Sequence, residues 1–201
     1  CAYRLRVNIV FQTSLKATEI LKDLRDYGVH VFPAVPRIWE TFFDRIVKKY
    51  EDEHKVKLFK FFAENGVWLK RLGLGRMVEN FFKPVQELFG GKMIFMVSGG
   101  AALKRTYEVA YRNMGFKMSP GYGLTETVGP VIVNKTDVRV VGCVGKPTDG
   151  NYMAVRNADS TGVGEIWLKG DSVFKGYYNN EKATAEVIDA IKVPVLAIPE
   201  N

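Results

Sequence analysis

The residues best suited to chemistry lie in one short segment, 121–127, whose sequence is GYGLTET. The Tyr122 ring can stack on a nucleobase, an interaction worth about 1–3 kcal/mol in nucleic-acid complexes. The Thr125 hydroxyl can contact a phosphate oxygen, and the Glu126 carboxylate offers the hard oxygen ligand that Mg²⁺ prefers. Together, a base stack, a phosphate contact and a metal ligand so close in sequence predict a site for ATP.

Two glycines flank the aromatic ring of this segment. Gly121 and Gly123 permit a close approach of the backbone and a positive φ around an exposed ring. Their spacing resembles the G-x-G-x-x-G dinucleotide fingerprint, but Glu126 stands where the third glycine belongs, which disfavours that role. The alternative interpretation of the segment is a Gly-rich turn with a capping Thr125 and a solvated Glu126.

A second candidate segment, 98–102, has the sequence SGGAA and follows the apolar run 93–97. Such a run is typical of a central parallel strand, and open α/β sheets bind ligands at the carboxyl ends of their strands. The small side chains of Gly100, Ala101 and Ala102 would let a flat ring lie against the backbone. A tight strand-to-helix turn without a ligand is the alternative.

Several other chemistries are disfavoured. His30 and His54 are the only histidines, and neither pairs with a cysteine at a zinc-binding spacing. Ser98 lacks the G-x-S-x-G context of a hydrolase nucleophile. The sequence also contains no zinc-finger spacing, ribonucleoprotein motif or Arg-rich tract, so we expect no nucleic-acid partner.

The elements that position the two segments follow from hydrophobic spacing and from Pro and Gly. Residues 1–117 alternate strands and helices, which predicts an α/β fold. Thr13 and Ser14 are candidate N-caps of the first helix, and Gly28 suits its C′ position. Pro36 occurs where a second helix can begin. The expected elements are an apolar segment at 7–11, strands at 29–32 and 93–97, and helices near 17–27, 36–50, 55–70, 76–88 and 103–113.

After residue 118, short strands separated by Gly, Pro, Asn and Asp predict a small antiparallel sheet or barrel. The expected elements are strands at 131–134, 140–144, 152–156 and 165–169 and a last helix over 181–190. We therefore expect an α/β portion at 1–138, which carries both candidate segments, and an antiparallel β portion at 139–180. A helix and an unmatched tail follow at 181–201.

Length and composition fit this fold class. The 201 residues are 47% apolar and 25% charged, as in ordinary globular proteins, and no apolar run reaches the roughly 18 residues of a membrane span. Cys1 and Cys143 cannot form a disulfide framework, which favours a reducing compartment and a cytoplasmic location. Because the first residue is not Met, we expect the chain to be an internal piece of a longer protein.

The net charge of +7 is unevenly distributed, since residues 1–117 carry 21 basic and 12 acidic residues and residues 118–201 carry 8 and 10. A basic half favours an anionic partner, although a solvated basic surface gives the same pattern. Within it, residues 54–76 predict either an interfacial helix on an anionic membrane or an amphipathic helix packed on the core. This segment interleaves Phe59, Phe61, Phe62, Trp68 and Leu69 with Lys55, Lys57, Lys60, Lys70, Arg71 and Arg76 around a single acid, Glu64.

The sequences VSGGAAL at 97–103 and GYGLTET at 121–127 closely resemble motifs of the adenylate-forming superfamily of acyl-CoA synthetases and firefly luciferases. The VPRIWE and SGGAAL forms are most similar to the long-chain fatty-acid branch, and the resemblance covers about residues 5–189. Three further motifs occur in the same order: VPRIWE at 35–40, VGKP at 144–147, and GEIWLKG at 164–170, which leads to FKGYY at 174–178.

The resemblance implies a fold and an adenine site. The fold is part of the large N-terminal domain of these enzymes, a parallel sheet with helices and a small antiparallel, barrel-like portion. Gly100, Ala101 and Ala102 would flank the adenine of ATP. Tyr122, between its two glycines, would close the other face of the ring.

The resemblance also implies catalytic and substrate residues. Thr125 would contact the α-phosphate and Glu126 would bind Mg²⁺. Trp39 would gate the acyl tunnel, with a packed helix residue as the alternative for this position. Glu165 and Gly170 match a motif that we interpret as mainly structural.

The implied reaction activates a fatty acid with ATP as acyl-AMP and then transfers the acyl group to coenzyme A. Three family features lack a counterpart in this sequence: the Gly- and Ser/Thr-rich phosphate loop, the ribose-binding Asp and the catalytic Lys of a C-terminal domain. Pro120 precedes the GYG motif where Gln is usual, and residues 191–201 do not match the family. We therefore expect the 201-residue chain alone to be inactive and its exposed seams to favour self-association.

Two alternatives remain at this point. The chain can be a truncated or degenerate module that binds adenylate or acyl groups without turnover. It can also derive from a ligase for another carboxylic acid, such as an aryl or medium-chain acid.

Overall fold

A computed structural model of the chain describes residues 7–134 and 140–188. The chain forms two compact units. The boundary between them falls inside one strand, Lys117–Leu124, whose first half belongs to one unit and whose second half belongs to the other. These divisions differ from the predicted 138/139 and 180/181. Unit 1 comprises Cys1–Pro120 and Thr136–Cys143, and unit 2 comprises Gly121–Lys135 and Val144–Asn201.

Within the described residues, unit 1 holds five α-helices and the parallel strands. The helices are α1 (Ala17–Asp26), α2 (Pro36–Asp52), α3 (Val56–Leu69), α4 (Gly75–Leu88) and α5 (Arg105–Asn113), with a π turn at Lys70–Leu74 between α3 and α4. The strands are β1 (Val31–Ala34), β2 (Phe95–Ser98) and the first half of β3 (Lys117–Leu124).

The parallel sheet of unit 1 has β2 at its centre, between β1 and β3. Ala34, Ser98 and Pro120 align in register at its carboxyl edge. This arrangement confirms the α/β fold and the central parallel strand predicted from the apolar run. The loop after Ser98 therefore begins where ligands of open α/β sheets bind.

The helix boundaries of unit 1 largely follow the sequence signals. Pro36 is the first residue of α2, and Gly28 has a φ of +58° just after the last turn of α1, as predicted. The prediction of N-caps at Thr13 and Ser14 is wrong. Lys16 occupies that position without a side-chain cap, and the Ser14 Oγ accepts the Lys16 N–H at 3.2 Å before the helix begins.

The apolar segment at 7–11 forms no strand. It lies outside the described sheets, and without a paired neighbour its side chains stay exposed; the exposed ones are Val7, Ile9, Val10 and Phe11.

An aromatic core holds the helices of unit 1 together. Trp39 lies edge-on to Phe42, Phe32 and Tyr111 at centroid distances of 6.0, 5.5 and 5.8 Å. The Tyr111 hydroxyl donates to the Trp39 carbonyl oxygen at 2.6 Å, and burial raises the pKa of this phenol well above its ordinary value. The largest fully buried side chains include Trp39, Tyr111, Phe42, Phe59, Phe82 and Phe89.

A buried ion pair lies on α5. The Arg112 guanidinium is 2.6 Å from the Glu108 carboxylate, and both side chains are at least 95% buried. The second Glu108 oxygen, Oε2, accepts the Gly142 N–H at 2.9 Å, which ties the returning segment of unit 1 to the helix. The i,i+4 spacing of the pair is visible in the sequence, but its burial is not.

Unit 2 is antiparallel, as predicted. The second half of β3 pairs with β4 (Gly129–Val133), β4 pairs with β5 (Lys146–Pro147), and β6 (Asn151–Arg156) forms a separate ribbon with β7 (Glu165–Gly170). The last described helix, α6, covers Glu181–Val187. Of the predicted helix over 181–190, residues 189 and 190 lie outside the described residues, as does the tail to 201.

One prediction for the β region is wrong. No strand forms over 140–144, where the chain returns to unit 1; the two-residue strand β5 begins at Lys146 instead. The GYG sequence belongs to strand β3, so the alternative interpretation of this sequence as a Gly-rich turn does not hold.

Cys143 is exposed and forms no disulfide with the described residues. Across residues 7–134 and 140–188, no helix is both long and apolar enough to cross a bilayer.

Candidate functional site

The SGGAA loop leaves the carboxyl edge of the unit 1 sheet. The Gly99 N–H donates to the Ala34 carbonyl at 3.3 Å, which holds the loop against the end of β1. Gly100 has a φ of +81°, a conformation that a residue with a Cβ rarely adopts. Gly100, Ala101 and Ala102 are exposed, so the loop presents its backbone and only small side chains.

Trp39 lies one turn into α2, shortly after β1 ends. Its side chain is fully buried in the aromatic core, and its indole N–H has no hydrogen-bond partner among the described residues. The Ser98 hydroxyl, at the end of β2, is likewise buried and unpaired within the described part of the chain. The packing agrees with the alternative of a core helix residue, and the role of acyl gate stays a prediction.

The GYG strand of unit 2 depends on close backbone approach. Tyr122 pairs with Ile132 of β4, and the register shifts between Tyr122 and Gly123. A Cβ on Gly123 would overlap the Gly129 carbonyl group. Neither Gly121 nor Gly123 has a positive φ, so these glycines serve strand contact rather than left-handed geometry.

A single 3₁₀ turn, Thr125–Thr127, follows β3. The buried Thr127 Oγ1 accepts the Leu124 N–H at 2.9 Å and lies 2.9 Å from the Gly129 carbonyl oxygen. Thr125 is exposed, and its hydroxyl makes no hydrogen bond with the described residues. The turn thus uses Thr127 for structure and presents Thr125 to a ligand.

Two hydrogen bonds anchor Glu126 to the segment after β7. The Phe174 N–H donates to the Glu126 carbonyl oxygen at 2.7 Å, and the Tyr177 hydroxyl donates to the Glu126 Oε1 at 2.7 Å. The Tyr177 ring packs edge-on against Phe174 with centroids 4.9 Å apart. The carboxylate is therefore held in one orientation while its second oxygen is not used by the Tyr177 bond.

The same hydrogen bond shifts the titration of both partners. The Tyr177 donor, followed by a backbone N–H, lowers the pKa of Glu126 below its usual value. The pKa of Tyr177 is raised, chiefly because its hydroxyl is bonded to the carboxylate. Glu126 therefore stays ionised and Tyr177 stays protonated around neutral pH.

Sequence reasoning assigned no role to Tyr177. The FKGYY sequence at 174–178 follows GYGLTET in motif order, which is the signal that could have linked the two segments. Their contact spans 51 residues, so no local spacing predicts it.

The donor set fits a magnesium ion that is shared with a phosphate ligand. No group of three or more His, Cys, Asp or Glu occurs in the described residues, so Glu126 stands as a single carboxylate. Mg²⁺ commonly binds through one or two carboxylates, substrate phosphates and water. The exposed Thr125 hydroxyl beside this carboxylate suits the phosphate.

The predicted nucleotide residues fall into both units. Gly121, Tyr122, Gly123, Thr125 and Glu126 are brought together in unit 2 by β3 and its 3₁₀ turn. The SGGAA loop belongs to unit 1, and its pairing with Tyr122 around one adenine stays a prediction.

Comparison with known families identifies the family of this chain. The family described as AMP-binding enzyme matches residues 1–178. The chain belongs to this family. Membership confirms the adenylate-forming resemblance drawn from the sequence motifs.

A curated relative of this AMP-binding chain is the long-chain-fatty-acid–CoA ligase FadD15 of Mycobacterium bovis. The two are 30% identical over 197 residues, which is 92% of this chain and 32% of the ligase. The chain thus spans about a third of the length of that relative.

Solved structures of adenylate-forming enzymes share the fold. The o-succinylbenzoate CoA synthetase MenE of Bacillus subtilis, a double mutant bound with its product analogue OSB-NCoA, has a TM-score of 0.66 at 16% identity. The match covers 94% of this chain and 32% of the MenE chain. The same enzyme in complex with ATP and magnesium ion has a TM-score of 0.55 at 16% identity, and this match covers 87% of this chain and 30% of the MenE chain. At these identities the likeness shows the α/β fold.

Proposed function

We propose that this chain forms the adenylate-binding part of a ligase that joins long-chain fatty acids to coenzyme A. The observation that carries the proposal is the 3₁₀ turn after β3, where Thr125 is exposed and Glu126 is fixed by Tyr177. The name of the FadD15 relative supports the acid and the thiol, and the MenE complex with ATP and magnesium supports the nucleotide and the metal.

The proposed reaction has two steps. A carboxylate oxygen of the fatty acid attacks the α-phosphorus of ATP, and pyrophosphate leaves as acyl-AMP forms. The thiolate of coenzyme A then attacks the acyl carbonyl carbon, and AMP leaves as the thioester forms. Negative charge develops on phosphoryl oxygens in the first step, so positioned donors lower its barrier.

Each residue of the site has a proposed task. The Thr125 hydroxyl donates to an α-phosphate oxygen, and the Tyr122 ring stacks on the adenine. Glu126 would hold Mg²⁺, which supplies positive charge to the phosphate oxygens when bound.

Binding of an acyl-adenylate analogue tests the nucleotide site. Calorimetry of the 201-residue chain with a non-hydrolysable palmitoyl-AMP analogue is expected to show one site, weakened at least tenfold by Thr125→Val. The matched control is Thr106→Val, an exposed threonine on α5, which leaves the affinity unchanged. Equal affinity of the Thr125→Val and Thr106→Val variants would remove Thr125 from the site.

The proposed acid is tested by changing the acyl group of the analogue. Palmitoyl-AMP is expected to bind more tightly than acetyl-AMP or an aryl-AMP analogue, and Trp39→Phe to reduce the preference for palmitoyl over octanoyl. A preference for the aryl analogue would instead favour the alternative of a ligase for another acid.

A binding module without turnover is the second candidate. It predicts the same analogue affinity, and neither candidate expects acyl-CoA formation by the 201-residue chain alone. An assay of a longer protein that contains this chain separates them. Release of acyl-CoA supports the ligase, whereas tight binding without release supports the module.

A further inference from the structure

Helix α3 carries two large apolar side chains on the face opposite its buried one. Phe61 is 48% exposed and Trp68 is 57% exposed. They are seven residues apart, which places them on one face, two turns and about 10 Å from each other. The buried residues of the helix are Phe59, Phe62, Ala63, Gly66 and Leu69.

Further exposed apolar side chains follow α3 directly in the sequence. In the π turn, Leu72 is 56% exposed and Leu74 is 42% exposed. Gly73 between them has a φ of +83°, which turns the chain before α4 begins. We call Phe61, Trp68, Leu72 and Leu74 the exposed strip.

Cations surround the exposed strip. Lys57, Lys60, Arg71 and Arg76 are exposed and form no ion pair with the described residues. Two other cations of this segment are paired, Lys55 with Glu53 at 3.3 Å and Lys70 with Glu79 at 3.8 Å. Glu64 is the one acid between residues 54 and 76, so the surface is positive.

We propose that the exposed strip and its four unpaired cations bind the surface of an anionic lipid bilayer. Trp and Phe side chains favour the boundary between lipid headgroups and acyl chains, and Lys and Arg beside them attract anionic lipids. A second copy of the same surface would oppose four cations with four cations, which disfavours self-association here.

The structure changes which apolar residues of the 54–76 segment can meet lipid. Phe59, Phe62 and Leu69 belong to the protein core, and only Phe61 and Trp68 of the five predicted residues are exposed. Leu72 and Leu74, which the sequence pattern did not single out, join them.

Vesicle co-sedimentation of the 201-residue chain tests the proposal. Wild-type chain is expected to bind phosphatidylcholine vesicles that contain phosphatidylglycerol at least fivefold more than pure phosphatidylcholine vesicles. Lys57→Glu with Lys60→Glu is expected to abolish this difference. The control, Lys169→Glu with Lys182→Glu, makes the same charge change at exposed lysines of unit 2 and leaves binding unchanged.

The apolar contribution needs its own pair of variants. Phe61→Ser with Trp68→Ser is expected to reduce binding at least fivefold, and the control, Val163→Ser with Tyr178→Ser, to retain it. Val163 and Tyr178 are 69% and 93% exposed, so both pairs leave the core intact. Far-ultraviolet circular dichroism checks that each variant is folded.

Tryptophan fluorescence gives a further readout, which reports contact of Trp68 with lipid rather than whether the chain is folded. Tryptophan emission is expected to move to shorter wavelength when anionic vesicles are added, and this shift is expected to disappear in Trp68→Phe. The fully buried Trp39 and the half-buried Trp167, which lies in β7 and outside the exposed strip, are not expected to contribute. The test uses no nucleotide, so its result is independent of the proposed ligase function.

Three results would overturn the proposal. They are equal binding to neutral and anionic vesicles, unchanged binding of both the charge and the apolar variants, and self-association through the strip without vesicle binding. The last would assign the surface to a second copy of the chain.

Discussion

In unit 1, fully buried aromatic side chains hold the helices on a parallel sheet, whereas the buried apolar side chains described in unit 2 are Val131 and Ile132. Unit 2 depends instead on backbone pairing, tight glycine contacts and hydrogen bonds such as that of Tyr177 to Glu126. The residues proposed to contact phosphate and metal are in this thinly packed unit. Regions with few buried apolar contacts open locally at lower free-energy cost, which suits a ligand-binding segment.

Removal of an aromatic ring from the core of unit 1 is the strongest test of this difference in apolar packing between the two units. Phe42→Ala is expected to lower the free energy of unfolding by about 3–5 kcal/mol, because it leaves a cavity beside Trp39 and Phe89. Urea unfolding followed by circular dichroism measures the loss. The control Phe61→Ala, at an exposed ring, should cost far less, and equal losses would contradict the assigned core.

The buried ion pair gives the next largest effect. Glu108→Gln is expected to cost about 3 kcal/mol, since it removes the carboxylate partner of a buried guanidinium. Glu87→Gln, at an exposed position on α4, is the control. The double variant Glu108→Gln/Arg112→Met is expected to be more stable than Glu108→Gln, and additive losses would contradict coupling of the pair.

The close contact between Gly123 and Gly129 tests whether unit 2 depends on backbone approach between its strands. Gly123→Ala is expected to cost about 1–3 kcal/mol, because its Cβ meets the Gly129 carbonyl across the β3–β4 pair. Hydrogen exchange of the Tyr122 and Ile132 amides should speed up while exchange in α2 is unchanged. Gly75→Ala, where the added Cβ meets only ordinary contact with Lys70, is the control.

The smallest expected effect is electrostatic. Tyr177→Phe removes the donor that lowers the pKa of Glu126, so this pKa is expected to rise toward its usual value. The bond contributes to stability above the unfolded-state pKa of Glu126 and is lost as pH falls through the folded-state pKa. Carboxyl carbon NMR during an acid titration measures the shift. Tyr178→Phe, the neighbouring exposed ring, should not move it.

The sequence predicts the helical unit better than the antiparallel one. Amphipathic spacing, Pro36 and Gly28 are local signals, so they place α1 and α2 correctly. The segment at 7–11 has strand-like composition, but a strand also requires a neighbour to pair with. A local pattern cannot supply that neighbour.

The candidate site shows the same limit. Thr125 and Glu126 stand out because their chemistry is concentrated in one motif. Tyr177 does not, since its bond to Glu126 depends on how β6 and β7 return the chain. Glu108 and Arg112 have the spacing of an ordinary exposed helix pair, and only packing reveals that they are buried.

The π turn between α3 and α4 has a consequence for proteolysis. A Cβ built on Gly73 has open space around it, and residues 71–74 are all exposed. Exposed turns of this kind are preferred sites of proteolytic cleavage. Trypsin cleaves after Lys and Arg, so the peptide bonds that follow Lys70 and Arg71 are candidate cleavage sites. Limited trypsin digestion is therefore expected to separate α3 from α4 early, and a bilayer seated on the exposed strip would slow that cut.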